Sequence, residues 1–400
     1  MPVAIIVGGG LAGRATALAL ARAGIGSTVY EAGSASADDL GAWLTLASNG
    51  MDALDTLGLA DAVADAGFAT PRMALRTSSG RELVSFPSGT DRPDGLQVQT
   101  IRRADLYRVL LEECDRRGVP TVYGTRLDDA LPLPGGGVRA RFADGSEATG
   151  DLLVGADGLR SRTRTVIDPA ATAARYTGLL NVGGYARGLD LGRPPGVLDF
   201  CFGRRCFLGY VASPDGDVWW FTNPPSPEPR RGELAALSED DWRARLLDLF
   251  HDDDLPVRRL LEASDSLFTG WPTYDIPTVR TWHRDGMVLV GDAVHAASPT
   301  SGQGASMAFE DAVTLARCLR DRPAPSEAFA AYERLRRTRV EAVVARGKRS
   351  GDAKAPGPVG RWVRDRVVMP LVAASMRRAG PSRDAWLTGH HIDWDSPVPA

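Results

Sequence analysis

No stretch constrains this chain more than "VAIIVGGGLAGRATALALARAG" at residues 3–24. "VAIIV" has the length and branched apolar content of a buried strand, and it runs directly into Gly8-x-Gly10-x-x-Gly13 and a helix-periodic segment. Each glycine has a physical task. Gly8 makes the tight turn, Gly10 lets a pyrophosphate approach the main chain, and Gly13 packs helix against strand. The helix start at Leu11 and Ala12 offers free N–H groups and a partial positive charge to phosphates. A second strand, "STVY", ends at Glu31, placed to accept hydrogen bonds from the hydroxyl pair of a ribose. Together these predict a parallel α/β dinucleotide-binding unit, and alone they do not separate NAD from FAD. A second glycine cluster, "PGGGV" at 134–138, has no helix after it and reads as a hairpin turn.

Four hundred residues suffice for two domains and a core that needs no disulfides. Hydrophobic residues make up 44% and charged residues 24%, the balance of a soluble globular protein. A net charge of −3 gives no footprint for nucleic acid or an anionic membrane. Basic residues are nearly all arginine; the only lysines are Lys348 and Lys354, which with the excess of Ala and Gly reads as coding bias. Cys114, Cys201, Cys206 and Cys318 form no C-x-x-C pair and no metal spacing, and suit a reducing, cytoplasmic setting as small buried residues. No leader-like segment opens the chain, and no apolar run reaches membrane length.

Two further apolar runs end in Gly and a carboxylate: "LLVGADG" from 152 and "MVLVGDA" from 287. Buried parallel strands look like this, and ligands bind beyond their carboxyl ends. Glycine fingerprint, "GADG" and "GDA", in that order, resemble the FAD-dependent monooxygenases of the aromatic-hydroxylase type, the group A flavoprotein monooxygenases. The resemblance covers nearly the whole chain, and the three motifs together are specific. It implies an α/β fold: a Rossmann-like FAD-binding domain, a discontinuous antiparallel β-sheet substrate domain and a C-terminal helical segment. The expected FAD-binding domain comprises 1–72, 97–172 and 280–345, the substrate domain 73–96 and 173–279, and the C-terminal segment and tail 346–400. Asp157 is implied to lie near the FAD pyrophosphate and the nicotinamide route, and Asp292 to bind the ribityl chain. Arg103, in "IRRADLYRVL", is implied to contact the cofactor from a helix start, whereas Arg102 is expected to be solvated charge.

Gln occurs only at Gln97, Gln99 and Gln303, and Gln303 stands between Gly302 and Gly304. The resemblance sets the loop of residues 299–304 against the flavin ring. Gly302 and Gly304 would permit close backbone approach, and the helix from about Ala305 would aim at the N1 and C2-carbonyl edge. Gln303 is expected to offer that edge an uncharged amide. The helix is expected to bury one stripe: Ala308, Ala312, Leu315 and Leu319.

Between the second and third motifs the pattern alternates. Residues 197–223 read as antiparallel hairpins turning at Pro214-Asp215-Gly216, and 74–86 as another turning at Ser79-Gly80. The resemblance makes these one sheet roofing the flavin. Phe200, Phe207, Tyr210 and Trp220 are the candidate substrate contacts there, with one face of the sheet lining the pocket. Trp43 is expected in a loop beside the flavin, stacked on substrate or ring. With Pro299 and Gln303 it forms the expected catalytic set. A pocket so aromatic and poor in charge suits an apolar aromatic or polycyclic substrate. His295 is expected to be a hydrogen-bonding residue rather than a catalyst. His390 and His391 lack ligand spacing, so no metal is expected.

The activity implied by the resemblance is that of an NAD(P)H-dependent monooxygenase with non-covalent FAD. NAD(P)H would be a transient co-substrate, and O2 would react through a C4a-hydroperoxyflavin to hydroxylate or epoxidise a small molecule, as in secondary metabolism. The alternatives are an oxidase or dehydrogenase on the same fold, or a non-catalytic flavin-binding protein. A monomer or a homodimer fits equally. Four departures stand out. Arg14 replaces the apolar residue usual after the third glycine and reaches either a phosphate or solvent. "EAGS" after Glu31 lacks the basic residue that often holds the adenosine. No second glycine fingerprint separates NADH from NADPH, and the paired-Trp signature of flavin halogenases is absent. Residues 360–378 read as amphipathic segments broken at Pro370 that cover the pocket or pair with another subunit.

Overall fold

The computed structural model describes residues 3–34, 42–90, 92, 94–352, 354, 360, 363–379 and 385–399. Parts of the expected C-terminal segment, at 355–359, 361–362 and 380–384, lie outside the described residues.

Five strands run parallel in the order Met287–Leu289, Leu152–Gly155, Val3–Val7, Gly26–Glu31, Thr121–Tyr123, and His283–Arg284 adds antiparallel at one edge. Ile5 lies between Leu153 and Thr28. Ala4, Ile6, Leu153, Val154, Val288 and Leu289 are fully buried. Strands covered on both faces need apolar residues on both, which is why they appear as unbroken apolar runs. Parallel direction also brings the chain out at a common edge after Val7, Glu31, Gly155 and Leu289, where such sheets bind ligands. The "PGGGV" turn joins Leu127–Pro132 to Val138–Phe142 in a separate three-stranded meander.

The helix Gly304–Asp321 packs against Leu11–Arg22 on one side and Pro325–Asp352 on another. Every residue from Ser306 to Ala316 is buried, including Glu310 and Asp311. The expected single stripe is therefore too narrow, because this helix is covered all round rather than half exposed.

The second large sheet has seven strands, in the order Ser264–Asp275, Arg175–Ala186, Val218–Asn223, Phe207–Ala212, Val197–Phe202, Arg72–Thr77, Glu82–Pro87. Neighbours are antiparallel except Val197–Phe202 with Arg72–Thr77, which run parallel. The purely antiparallel expectation is corrected at that seam. Its two strands come from distant stretches of chain, so no hairpin dictates their direction. The helices Glu239–Leu249 and Val257–Glu262 cover one face, burying Trp242, Leu246 and Leu260 against it. Met369 and Ala373, from the helix Met369–Ala379, cover Leu75 and Val84 near the sheet's edge. Among the described residues no helix is long and apolar enough to cross a membrane.

Candidate cofactor and substrate site

At the common strand edge the glycines divide by what surrounds them. Gly8 has φ +102°, and a Cβ there would lie 2.5 Å from the Ala156 carbonyl oxygen. A Cβ on Gly13 would lie 1.9 Å from the Gly8 carbonyl oxygen. Those two positions are closed by the protein itself. At Gly10, Gly302 and Gly304, by contrast, a Cβ would meet nothing within 4 Å. Bare backbone facing open space at these points, one of them beside the first-turn amides of Leu11 and Ala12, leaves room for a phosphate-bearing ligand.

Glu31 is held against this loop. Its carboxylate accepts from the Gly9 and Gly33 amides, each at 2.6 Å. A carboxylate has about four acceptor sites, so capacity remains for ribose hydroxyls. The Asp157 side chain turns instead into its own helix, Arg162–Ile167, accepting from the Thr163 amide at 2.9 Å and the Thr163 hydroxyl at 3.1 Å. What Asp157 presents to the phosphate loop is backbone, for its Cα would sit 2.9 Å from a Cβ on Gly8.

Asp292 opens the short helix Asp292–His295. It is exposed by surface area, yet burial pushes its carboxyl above the ordinary range while His295 and Arg103 pull it down. A group that solvent reaches but protein surrounds lies on the floor of a deep cleft. Arg103, exposed at the start of Arg103–Arg116, shares that cleft. Behind Asp292, the Asp311 carboxylate accepts from the Gly291 amide at 2.9 Å and pairs with His295. Burial opposes charge on His295, but Asp311 outweighs it and the imidazole pKa is raised. His295 thus braces the loop that carries Asp292. Replacing Asp292 with Ala is expected to weaken FAD binding about tenfold to a hundredfold, the worth of one hydrogen bond to a charged acceptor, about 1.5–3 kcal/mol. Titrating the apoprotein with FAD by flavin fluorescence checks this, and an unchanged affinity would remove Asp292 from the site.

Three sequence expectations need correction here. The Gln303 side chain does not face the cleft: it is 3% exposed, and its carbonyl accepts from the Asn49 side-chain amide at 3.0 Å. Asn49 is itself buried and also donates to Glu310 at 2.6 Å, so a neutral acceptor is needed there by Asn49 rather than by a flavin. The main chain is open at Gly302 and Gly304, with Pro299 exposed and Ala305 half-buried beside them. Arg14 reaches neither phosphate nor solvent. It is buried, donates to the Tyr107 and Tyr123 hydroxyls at 2.7 and 3.1 Å, and stacks on the Tyr107 ring. Trp43 lies in a strand, Trp43–Leu46, opposite Arg102 of Gln99–Arg102, rather than in a loop. Arg102 is exposed, as expected, and its guanidinium also lies 4.8 Å over the Tyr185 ring and 5.3 Å over Trp219.

Strand register decides the aromatic face. Tyr210 pairs with Trp220, while Gly209 pairs with both Phe221 and Phe200. Directly paired residues share a face, so Tyr210 and Trp220 lie together on the side covered by Trp242 and Leu246. Trp220 is fully buried there, its indole N–H donating to Ser264. Both are therefore withdrawn from the substrate contacts, and so is Phe207, which lies on the opposite face but is fully buried beneath Lys354. The opposite face carries Phe200, Phe207, Trp219 and Phe221. Trp43 meets Phe221 edge-on at 5.4 Å and Trp219 at 6.3 Å, and Phe200 packs on Phe207 at 5.3 Å. Trp219, Phe221, Tyr185 and Arg102 were missed. Once Phe200 is chosen, alternation across the hairpin selects Phe221 and hence Trp219 rather than Trp220. Because Trp43 sits opposite Arg102 and Arg103 follows it, this aromatic face and the Asp292 cleft flank the same turn of chain.

A parallel sheet with open glycines at its carboxyl edge, beside a mixed second sheet, has the form of a dinucleotide-dependent oxidoreductase. The FAD binding domain family matches residues 1–347, and the chain belongs to that family. It is 33% identical to the aurachin C monooxygenase/isomerase of Stigmatella aurantiaca, over 90% of this chain and 89% of that protein. It is 32% identical to an FAD-dependent urate hydroxylase of Klebsiella pneumoniae, over 87% and 89%. The crystal structure of Klebsiella pneumoniae HpxO complexed with FAD and uric acid superposes with a TM-score of 0.80 at 27% identity, covering 95% of this chain and 98% of that one. The protein is an FAD-dependent monooxygenase.

Proposed function

We propose that the protein uses NAD(P)H and O2 to hydroxylate or epoxidise an apolar aromatic or polycyclic small molecule. The observation that carries this reading is the aromatic face of Trp43, Trp219, Phe221 and Phe200 beside the glycine-lined cleft. Bound FAD supplies the oxygen chemistry; what the chain supplies is position and dryness. The rings stack on a flat substrate, exclude water and hold the reacting carbon at one place, which governs how much reducing power reaches product. Gly10, the amides of Leu11 and Ala12, Glu31, Arg103 and Asp292 would hold the cofactor, together with the open backbone at Gly302 and Gly304. The flat uric acid in the Klebsiella structure supports a planar ring system as substrate.

Anaerobic mixing of the FAD-loaded protein with NADH and then NADPH is the test. The yellow flavin band is expected to bleach with one of them, faster when an aromatic substrate is present. Readmitting labelled O2 is expected to place one labelled oxygen atom in the product. Bleaching by substrate alone, with no response to either nucleotide, would make the protein an oxidase or dehydrogenase and overturn the reading.

A further inference from the structure

All but two of the 47 basic residues in this chain are arginine. One of the two lysines, Lys354, is 8% exposed, and its ammonium position lies 3.9 Å over the Phe207 ring and 5.4 Å over Phe221. Its Nζ donates to the Asn223 side-chain carbonyl at 2.7 Å. No carboxylate among the described residues pairs with it. Asn223 pairs with Phe207 in the strand register, so Lys354 stands on the same face of the sheet as Phe200, Phe221 and Trp219. The chain leading to it also touches the flavin loop: Thr300 donates to the Gly347 carbonyl at 2.7 Å, and a Cβ on Gly351 would lie 3.4 Å from the Thr300 hydroxyl. The 299–304 loop thus packs on Gly347 and Gly351, a few residues before Lys354 reaches the aromatic face.

A buried cation with no counter-charge is costly, and burial lowers this amine to about 7. Arginine cannot relieve that cost by losing its proton, whereas lysine can. Three N–H donors also exceed what Asn223 uses.

We propose that Lys354 is a specificity-determining residue that takes an acidic oxygen of the substrate, a phenol, enol or carboxylate, as its counter-ion. This rests on the reading that the aromatic face holds the substrate. With a phenol or enol the neutral amine accepts the O–H proton, leaving an oxyanion beside an ammonium. A carboxylate arrives ionised and pairs with an amine protonated from solvent.

The test titrates FAD-loaded protein with 2-naphthoate and with its neutral isostere 2-naphthamide, reading the shift of the flavin absorption band. Wild type is expected to bind the acid about tenfold to a hundredfold more tightly than the amide. Lys354→Met should keep FAD and amide affinities while the acid-to-amide ratio falls to about one, and Lys354→Arg should keep part of the preference. A wild-type ratio near one overturns the proposal, as does a ratio unchanged in Lys354→Met. If both variants lose FAD, the wild-type ratio decides, and a ratio at or below one overturns the proposal. If neither probe shifts the band, the aromatic face is not the substrate site and the proposal falls with it. An acid preference in a protein that neither NADH nor NADPH reduces would leave Lys354 in its role and overturn the reductant alone.

Discussion

Arg336→Met is expected to cost about 3–5 kcal/mol of stability, a large share of what holds a domain folded. Arg336 is 1% exposed and donates to Asp311 at 2.8 Å, to Glu310, and to the Met307 carbonyl at 3.3 Å. Arg339 donates twice more to Glu310, each time at 2.8 Å. Burial would raise both acids, but the arginines and His295 hold Glu310 and Asp311 at about 2. Removing Arg336 takes one of three hydrogen-bonding residues from each buried carboxylate, leaving Glu310 with Arg339 and Asn49 and Asp311 with His295 and the Gly291 amide. The sign of the pH effect follows. Acids held below their unfolded values of about 4 contribute stability that is full above that pH and is lost as pH falls toward 2. Wild type should therefore lose stability across that window. Arg336→Met should lose it at higher pH and carry a shallower acid limb. Urea unfolding at pH 7 and at steps down to pH 3 measures both, and equal curves for the two proteins would show that the buried pairs contribute nothing net. Because Asp311 also accepts from the Gly291 amide, FAD affinity should weaken in the same variant.

Gly13→Ala and Gly10→Ala are expected to part company. Alanine at 13 would set its Cβ 1.9 Å from the Gly8 carbonyl oxygen, which is backbone and cannot swing aside. The helix Leu11–Arg22 must then lift from Val3–Val7, costing at least the roughly 1–3 kcal/mol of overpacking and spoiling the amide cradle. Alanine at 10 meets no protein atom within 4 Å, so the apoprotein should melt as wild type does. Its methyl group occupies the space meant for the cofactor, and FAD affinity should fall at least tenfold. Thermal melts of apo and FAD-loaded forms separate the two effects. A Gly10→Ala protein that binds FAD normally would show that the open space is not the cradle.

The expectations that hold at the level of the fold rest on local physics. "VAIIV", "LLVG" and "MVLV" are apolar on both faces, so they had to be buried parallel strands. Gly8 takes the positive φ that the tight turn after the strand requires. The hairpins at Ser79-Gly80 and Pro214-Asp215-Gly216 close on the residues that bend them. Cofactor chemistry is legible for the same reason: a nucleotide is bound largely by backbone at strand ends and helix starts, and the glycines that free that backbone are written in consecutive letters.

Tertiary structure alone decided the rest. Alternation says that Trp219 and Trp220 point opposite ways, but not which of them the helices of 239–262 will cover. Gln303 looked like a flavin contact because its neighbours are glycines; its partner Asn49 lies 254 positions away and leaves no mark near it. Arg14 found two tyrosines, Arg102 found Tyr185 and Trp219, and Lys354 found Phe207 and Asn223, all across long stretches of chain. A polar side chain's role is set by what fills its donors and acceptors. Those partners are assembled by packing, whereas the strands and the glycine turn are specified within a few residues of themselves.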